Sequence, residues 1–223
     1  MECKRCGDCC RKGGPALHQE DKHLVVSGVI KRRNLFTLRR GEPAWDHAKG
    51  VLAPLAEEIV KIRGIGSEWT CMFWNPESGL CGIYNDRPAE CRALDCWDTA
   101  ALEAMYETGR LTRADLISTE SALWEILAEH GERCSPERLS ANVEAWKQGD
   151  QDAGRRLLED LAYDDAMRDL LVERAGADPD EMEFLFGRPL SQLLAGHRVK
   201  ARKWGDTYKL VNLDASSTPK EGA

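Results

Sequence analysis

The sequence predicts a mainly α fold with an irregular, turn-rich N-terminal half and little β structure beyond short hairpins. Two observations lead to this prediction. Long helical patterns and helix-start signals lie mostly after residue 98, whereas residues 64–96 are repeatedly interrupted by glycine and proline. Of nine cysteines, only Cys134 lies outside residues 1–96. We therefore divide the chain into a cysteine-bearing domain over 1–97, a helical region with a C-terminal hairpin over 98–213, and a disordered tail over 214–223.

The N-terminal domain is expected to contain one helix and one short strand. Residues 52–63 have helical periodicity, and Gly64 is placed to end the helix. Residues 35–38, Leu-Phe-Thr-Leu, precede Arg-Arg-Gly and predict a strand followed by a turn. The segment 64–96 should consist mostly of turns whose shape is fixed by what its cysteines bind.

Capping residues and periodicity predict the helices of the second region. They are expected over 98–109, over 112–130, from Ser135-Pro136-Glu137 onward, over 150–175 and from Asp178-Pro179 onward. Residues 199–211 predict a hairpin that turns at Gly205-Asp206.

Composition and charge exclude several classes of protein. Hydrophobic residues make up 42% of the chain and charged residues 31%, which is typical of a globular protein. The formal net charge of −7 disfavours a nucleic-acid partner, which would require a positive surface. No run of about 18 apolar residues is present, so no membrane span is expected. The N-terminus lacks the apolar stretch of a leader peptide, and we expect a cytoplasmic protein.

The cysteines fall into two groups of four. These groups are Cys3, Cys6, Cys9 and Cys10, then Cys71, Cys81, Cys91 and Cys96. Disulfides are rare in the cytoplasm and the total count is odd, so the pattern favours metal binding. A C-x2-C-x2-C run is typical of iron–sulfur loops, and zinc sites also use C-x2-C pairs. We favour an iron–sulfur cluster, 4Fe-4S in one or two copies, with zinc as the alternative.

The adjacent pair Cys9-Cys10 bears on the number of metal centres. Neighbouring side chains of an extended chain point to opposite sides, which would keep the two thiols from facing one metal. The pair therefore indicates two centres, or one ligand beside a spare thiol. Two sets of four cysteines would suffice for two all-cysteine sites.

Arginines and histidines near the cysteines are candidates for secondary roles. Arg87 and Arg92 lie inside the second cysteine group and are predicted to contact the cofactor by donating hydrogen bonds to cluster sulfurs or nearby carbonyls. His18 lies too close to Cys9 for a zinc-finger spacing, and neither it nor His23 is expected to bind metal. Cys134 is expected to be a core or surface thiol.

These motifs resemble the YkgJ-type cysteine-cluster family, whose signature is CxxCxxCC. The resemblance rests on residues 3–10, on Trp-Thr-Cys-Met-Phe at 69–73, on Gly-Leu-Cys-Gly-Ile-Tyr at 79–84 and on residues 85–97. It covers about residues 1–97 and implies a zinc- or iron-chelating domain, of a family whose members often carry the label of iron–sulfur oxidoreductases. It implies nothing about the helical region.

Three functions are consistent with the sequence. The first is an iron–sulfur protein that transfers electrons or has a redox accessory role, with a redox or protein partner. The second is a zinc protein in which the metal is structural and the helical region binds another protein. The third is an enzyme, for example an oxidoreductase, with an open metal position.

Overall fold

A computed structural model describes residues 6–46, 50–106, 108–205 and 207–214. The described chain is 48% helical and 20% strand, and its strands form five small antiparallel sheets. The expectation of a mainly α fold with little β structure is therefore wrong, and the fold is a mixture of both. The extra strand content lies in the N-terminal half, where glycines and prolines separate short strands that pair locally.

The N-terminal half contains short elements only. In chain order they are α1 (Lys22–Val26), β1 (Leu35–Leu38), β2 (Pro43–Asp46), β3 (Val51–Pro54), β4 (Ile59–Ile62), β5 (Gly64–Ile65), β6 (Thr70–Cys71), β7 (Trp74–Asn75), β8 (Leu80–Cys81) and α2 (Ala89–Ala93). The pairs are β1 with β4, β2 with β3, β5 with β6 and β7 with β8, all antiparallel.

The helix expected over 52–63 is replaced by strands β3 and β4. Pro54 lacks a backbone N–H, and Ile59, Val60 and Ile62 are β-branched residues that favour a strand. All three are buried, because β4 pairs with β1 in the middle of the core. The apolar spacing that predicted a helix is satisfied here by two strands joined by a turn. The strand expected over 35–38 is confirmed as β1.

Longer helices make up the second half. They are α3 (Ala100–Met105), α4 (Arg113–Leu116), α5 (Ala122–Arg133), α6 (Pro136–Lys147), α7 (Gln151–Ala175), α8 (Met182–Phe186) and α9 (Leu190–Leu193). A hairpin of β9 (Val199–Trp204) and β10 (Thr207–Asn212) follows. The expected helix over 112–130 is divided into α4 and α5 by a turn.

Most capping predictions are confirmed in atomic detail. The Ser135 hydroxyl accepts a hydrogen bond from Arg138 N, and Pro136 occupies the first turn of α6. The Asp150 carboxylate accepts from the backbone at the start of α7, and Thr112 and Asp115 form a capping box on α4. The predicted turn of the final hairpin includes Asp206, which lies outside the described residues, as do 215–223 of the predicted tail.

The two halves share a core. Strand β1 packs on α8, and the Thr37 hydroxyl donates a buried hydrogen bond of 2.7 Å to Phe184 O. One apolar cluster joins Leu17, Val60 and Phe184 from both halves. The boundary predicted at residue 97 stays a prediction, but the helical half clearly supports the sheet of the cysteine-bearing half.

A buried ionic network fixes the centre of α7. Asp164 accepts hydrogen bonds from His130 Nε2 at 2.8 Å, from Arg168 Nε at 3.0 Å and from Leu190 N at 2.8 Å. Burial raises the pKa of Asp164, but the hydrogen bond from His130 and the charge of Arg168 outweigh it and lower that pKa to about 2. The carboxylate is therefore ionised and holds three elements together.

Within the described ranges no helix has the length and apolar content needed to cross a membrane.

Replacing Asp164 by Asn should lower the free energy of unfolding by about 3–5 kcal/mol, because Arg168 would keep a buried charge without its partner. Urea denaturation of the protein as purified measures this loss. Asp169→Asn, an exposed change on the same helix, is the control and should alter stability by less than about 0.5 kcal/mol. Equal stabilities of the two variants would contradict the role assigned to Asp164.

Candidate metal centre

The described members of the first cysteine group, Cys6, Cys9 and Cys10, lie on a tight loop that packs against Trp74. Gly7 has a φ of 76°, and a Cβ placed on it would lie 2.6 Å from the Trp74 ring. Only glycine permits both the backbone conformation and this close approach. Arg11 lies over the same ring, 5.3 Å from its centroid, and Arg11 N donates to Gly7 O at 2.9 Å. The indole therefore fixes the position of the loop.

Cys9 and Cys10 point toward the same side of this loop. Cys9 has helical φ and ψ angles and Cys10 begins a 3₁₀ turn, so the chain is not extended here. The two sulfurs are 4.0 Å apart. The expectation that adjacent thiols cannot face one metal assumed an extended backbone, which this pair does not have, so the number of metal centres stays a prediction.

The second cysteine group approaches this pair from three short elements. Cys71 is buried at the end of β6, which contacts the 3₁₀ turn that starts at Cys10. Cys81 ends β8 and pairs in register with Trp74. Cys91 lies in the middle of α2 and is half-buried.

Pairwise electrostatic interactions connect five thiols, and we call Cys9, Cys10, Cys71, Cys81 and Cys91 the thiol cluster. Burial, followed by the charges of Cys71, Cys9 and Cys81, raises the pKa of Cys91. Burial and the charges of Cys81 and Cys9 also raise the pKa of Cys71. A hydrogen bond with Cys10 lowers the pKa of Cys9 to about 6. The cluster is thus unfavourable as a set of thiolates unless a cation offsets their charge.

Backbone amides already point at one of these sulfurs. Hydrogen bonds from the backbone of Phe73 and Trp74 oppose the effect of burial on the pKa of Cys71 and favour its thiolate. The Trp74 indole Nε1–H is also buried and has no hydrogen-bond partner among the described residues. A buried donor without an acceptor is costly, and a metal-bound sulfur nearby would supply one.

The remaining predicted ligands lie elsewhere or outside the described part of the chain. Cys3 belongs to the residues that are not described. Cys6 is exposed, and its thiol donates to Asp8 Oδ2 at 3.2 Å. Cys96 is exposed in the turn that follows α2. Their role as ligands stays a prediction.

Helix α2 is held in place by buried carboxylates that sequence reasoning did not identify. Asp21 is completely buried and accepts hydrogen bonds of 2.9 Å from Ala89 N and from His18 N. Glu90 accepts from Ala16 N at 2.8 Å and contacts His18 Nε2 at 3.3 Å. These contacts tie the helix of Cys91 to the segment after the first cysteine group. The sequence signal that could have identified Glu90 was its position directly before Cys91.

Histidine 18 has both ring nitrogens occupied by this arrangement. Its Nδ1 lies 2.8 Å from Thr108 O and its Nε2 faces Glu90. The hydrogen bond with Glu90 raises the pKa of His18, although burial acts in the opposite direction. The ring is therefore a structural link between residues 18, 90 and 108.

Arg87 and Arg92 surround α2 and donate to protein oxygens. Arg87 Nε donates to Tyr84 O at 2.9 Å, and the guanidinium lies 3.8 Å from the Tyr84 ring centroid. Arg92 donates to Arg87 O and, at 3.1 Å, to Glu20 Oε1. Both arginines therefore donate to backbone carbonyl oxygens, one of the two kinds of acceptor expected from the sequence. Their contact with a cofactor stays a prediction.

A second group of metal-binding side chains occurs in the helical half. Ligand atoms of His130, Cys134 and Asp164 lie within 4.8 Å of one another and all three residues are buried. The carboxylate oxygens already accept the hydrogen bonds described above, and the charge of Arg168 opposes a cation. Burial raises the pKa of Cys134 to about 12, so its thiol stays protonated. This group is part of the core.

Comparison with known proteins identifies the N-terminal half. Residues 2–110 match the model of the CxxCxxCC family, described as a putative zinc- or iron-chelating domain. The match extends the resemblance found in the sequence from residue 97 to residue 110 and includes every member of the thiol cluster. No curated protein and no solved structure matches the chain.

Replacing Gly7 by Ala should displace the first cysteine loop, because the new methyl group would overlap the Trp74 ring. We expect at least tenfold faster loss of metal to a chelator. Gly28→Ala is a matched control, since Gly28 has a φ of 79° and open space around it. Both variants share a backbone cost of about 1–2 kcal/mol. Equal rates of metal loss would show that the approach of Trp74 to this loop is unimportant.

Proposed function

We propose that the thiol cluster holds an iron–sulfur centre that exchanges electrons with a redox partner, in a chain whose residues 2–110 match the CxxCxxCC family. The metal-chelating character of this half follows from the family. The identity of the metal and its redox role are the proposal, and they depend on how the thiols are arranged.

The observation that carries the proposal is that thiols of the two cysteine groups act on one another electrostatically, as the charge of Cys9 does on Cys71 and Cys91. Cys9 and Cys10 come from one loop, whereas Cys71, Cys81 and Cys91 come from three separate elements. Four thiolates complete the ligand set of one cubane cluster, and the fifth thiol would then serve as a hydrogen-bond donor. The contact between the sulfurs of Cys9 and Cys10 suits this division, because such a hydrogen bond joins one thiol donor to one sulfur acceptor.

Hydrogen bonding around the sulfurs favours iron–sulfur. The available hydrogen-bond donors are the backbone amides at Cys71 and the indole N–H of Trp74, which has no partner among the described residues. Four thiolates on a single small ion would require fewer donors than these. Such donors set the reduction potential of a cluster, whose inorganic sulfides are further acceptors. Cys9, Cys10, Cys81 and Cys91 are only half-buried, so the centre would lie close enough to the surface for electron exchange.

Zinc is the second candidate, and one distance supports it. Four sulfurs at about 2.3 Å from a zinc ion are about 3.8 Å apart. The 4.0 Å between the sulfurs of Cys9 and Cys10 is close to that value. In this case the metal would be structural, and it would stabilise the short sheets that have little core of their own.

Anaerobic purification followed by iron, zinc and sulfide analysis should yield about four iron and four sulfide per chain, with broad visible absorption. About eight of each would indicate a second cluster that includes Cys3, Cys6 and Cys96. One zinc without sulfide would contradict the proposal and support the structural alternative.

Single Cys→Ser variants at Cys71 and Cys91 should retain less than half of the metal of the unchanged protein, because each removes a central ligand. Cys134→Ser is the matched control and should retain all of it, since this thiol lies in the helical core. Circular dichroism checks that each variant is folded. Full metal content in both Cys71→Ser and Cys91→Ser would show that the thiol cluster is not the binding site.

A further inference from the structure

A cleft of about 910 Å³ opens next to the thiol cluster. Its walls come from the β1–β4 sheet, the β2–β3 hairpin, the loop before Ala16 and the segment around Arg110. Pockets for small molecules are typically about 300–1,000 Å³. Two wall residues adjoin metal-binding segments: Trp69 precedes Cys71 by two positions, and Glu90 precedes Cys91.

One side of the cleft is aromatic. Phe36 and Trp69 pack together with ring centroids 5.4 Å apart. Trp69 has a φ of 54°, a left-handed conformation that is unusual for a bulky residue, and its side chain remains 41% exposed. Strained residues that stay exposed are concentrated at binding sites. The two rings are tilted by 47° and Phe36 is buried, so Trp69 is the ring that is open to a ligand, with Phe36 behind it.

Two cations lie beside this aromatic pair in the wall of the cleft. Lys61 on β4 is the cross-strand partner of Phe36 on β1, so the two side chains are neighbours on one face of the sheet. Within the described ranges Lys61 has no ion-pair partner, and burial lowers the pKa of its amine. Arg110 lies over the Tyr106 ring at 4.4 Å, and its buried Nε has no hydrogen-bond partner among the described residues.

Two acidic residues, Glu57 and Glu90, also line the cleft. The charge of Glu90 raises the pKa of the Lys61 amine, against the larger effect of burial, but no ion pair joins the two among the described residues. One Glu90 oxygen accepts from Ala16 N and the other faces His18. Half-buried cations without an acceptor are unfavourable, and a ligand that brings an oxyanion would relieve that cost.

We propose that this cleft binds a small aromatic oxyanion, with the anionic group between Lys61 and Arg110 and the ring against Phe36 and Trp69. The anionic group is a carboxylate or a phosphate ester, which these two cations would recognise in the same way. The proposal does not depend on which metal the thiol cluster holds.

Isothermal titration calorimetry on the metal-loaded full chain tests the proposal with 2-naphthoate, 2-naphthyl phosphate, inorganic phosphate and neutral 2-naphthamide. Binding of either aromatic anion at least tenfold tighter than the amide and inorganic phosphate supports it. The tighter of the two aromatic anions identifies the anionic group. Equal affinity for naphthamide would overturn the role of the cations, and equal affinity for inorganic phosphate would overturn that of the rings.

Variants locate the site. Lys61→Met preserves the length of the side chain and should weaken binding of the preferred aromatic anion at least tenfold, as should Arg110→Met. Trp69→Ala should weaken it by a similar factor. Lys200→Met, an exposed lysine on β9, is the matched control and should leave the affinity unchanged. Unchanged affinity in Lys61→Met and Arg110→Met, with circular dichroism showing both folded, would overturn the proposal.

Discussion

The buried carboxylates of Asp21 and Glu90 are the constraint on which the metal-binding half depends. Residues of the two cysteine groups are about 60 or more positions apart in sequence, and a metal could not bring them together without help from the chain. Asp21 accepts a hydrogen bond from Ala89 N at the start of α2, and Glu90 accepts one from Ala16 N. These bonds fix the helix that carries Cys91 relative to the segment that follows Cys10. Either carboxylate, if left without its partners, would be buried at high cost.

The helical half contributes by stabilising the sheet from which these loops extend. Arg113 of α4 donates to Glu58 Oε2 at 2.9 Å and also to Leu185 O, so one side chain joins both halves. Thr37 of β1 makes a similar bond to α8. A two-stranded sheet is marginal alone, and strands β1 and β4 are stable because helices cover them. The cysteine-bearing half therefore needs the helices even though they supply no member of the thiol cluster.

Local signals predicted the helices that have clear caps and the hairpin that has a clear turn. Ser135 and Asp150 act through neighbouring backbone atoms, so short sequence windows contain the needed information. Strand β4 was missed because its identity depends on pairing with β1, more than 20 residues away, which periodicity does not report. The candidate ligands were recognised from spacing. Their grouping was not, since it depends on the helical backbone of Cys9 and on the long-range contacts of Glu90.

The net charge of the whole chain is a poor guide to the charge inside the cleft. The net charge of −7 describes a surface that repels polyanions such as nucleic acids. The cleft has the opposite sign locally, because Lys61 and Arg110 line it without an ion pair among the described residues while Glu90 is engaged with its own neighbours. Arg188 also lines the cleft, but it is paired with Glu42. An acidic exterior around a cationic cleft excludes large anions and admits small ones, whose single charge meets little long-range repulsion at physiological salt. Trp69 and Glu90 belong both to the wall of the cleft and to the segments that carry Cys71 and Cys91, so the cleft and the thiol cluster are linked by shared segments of chain.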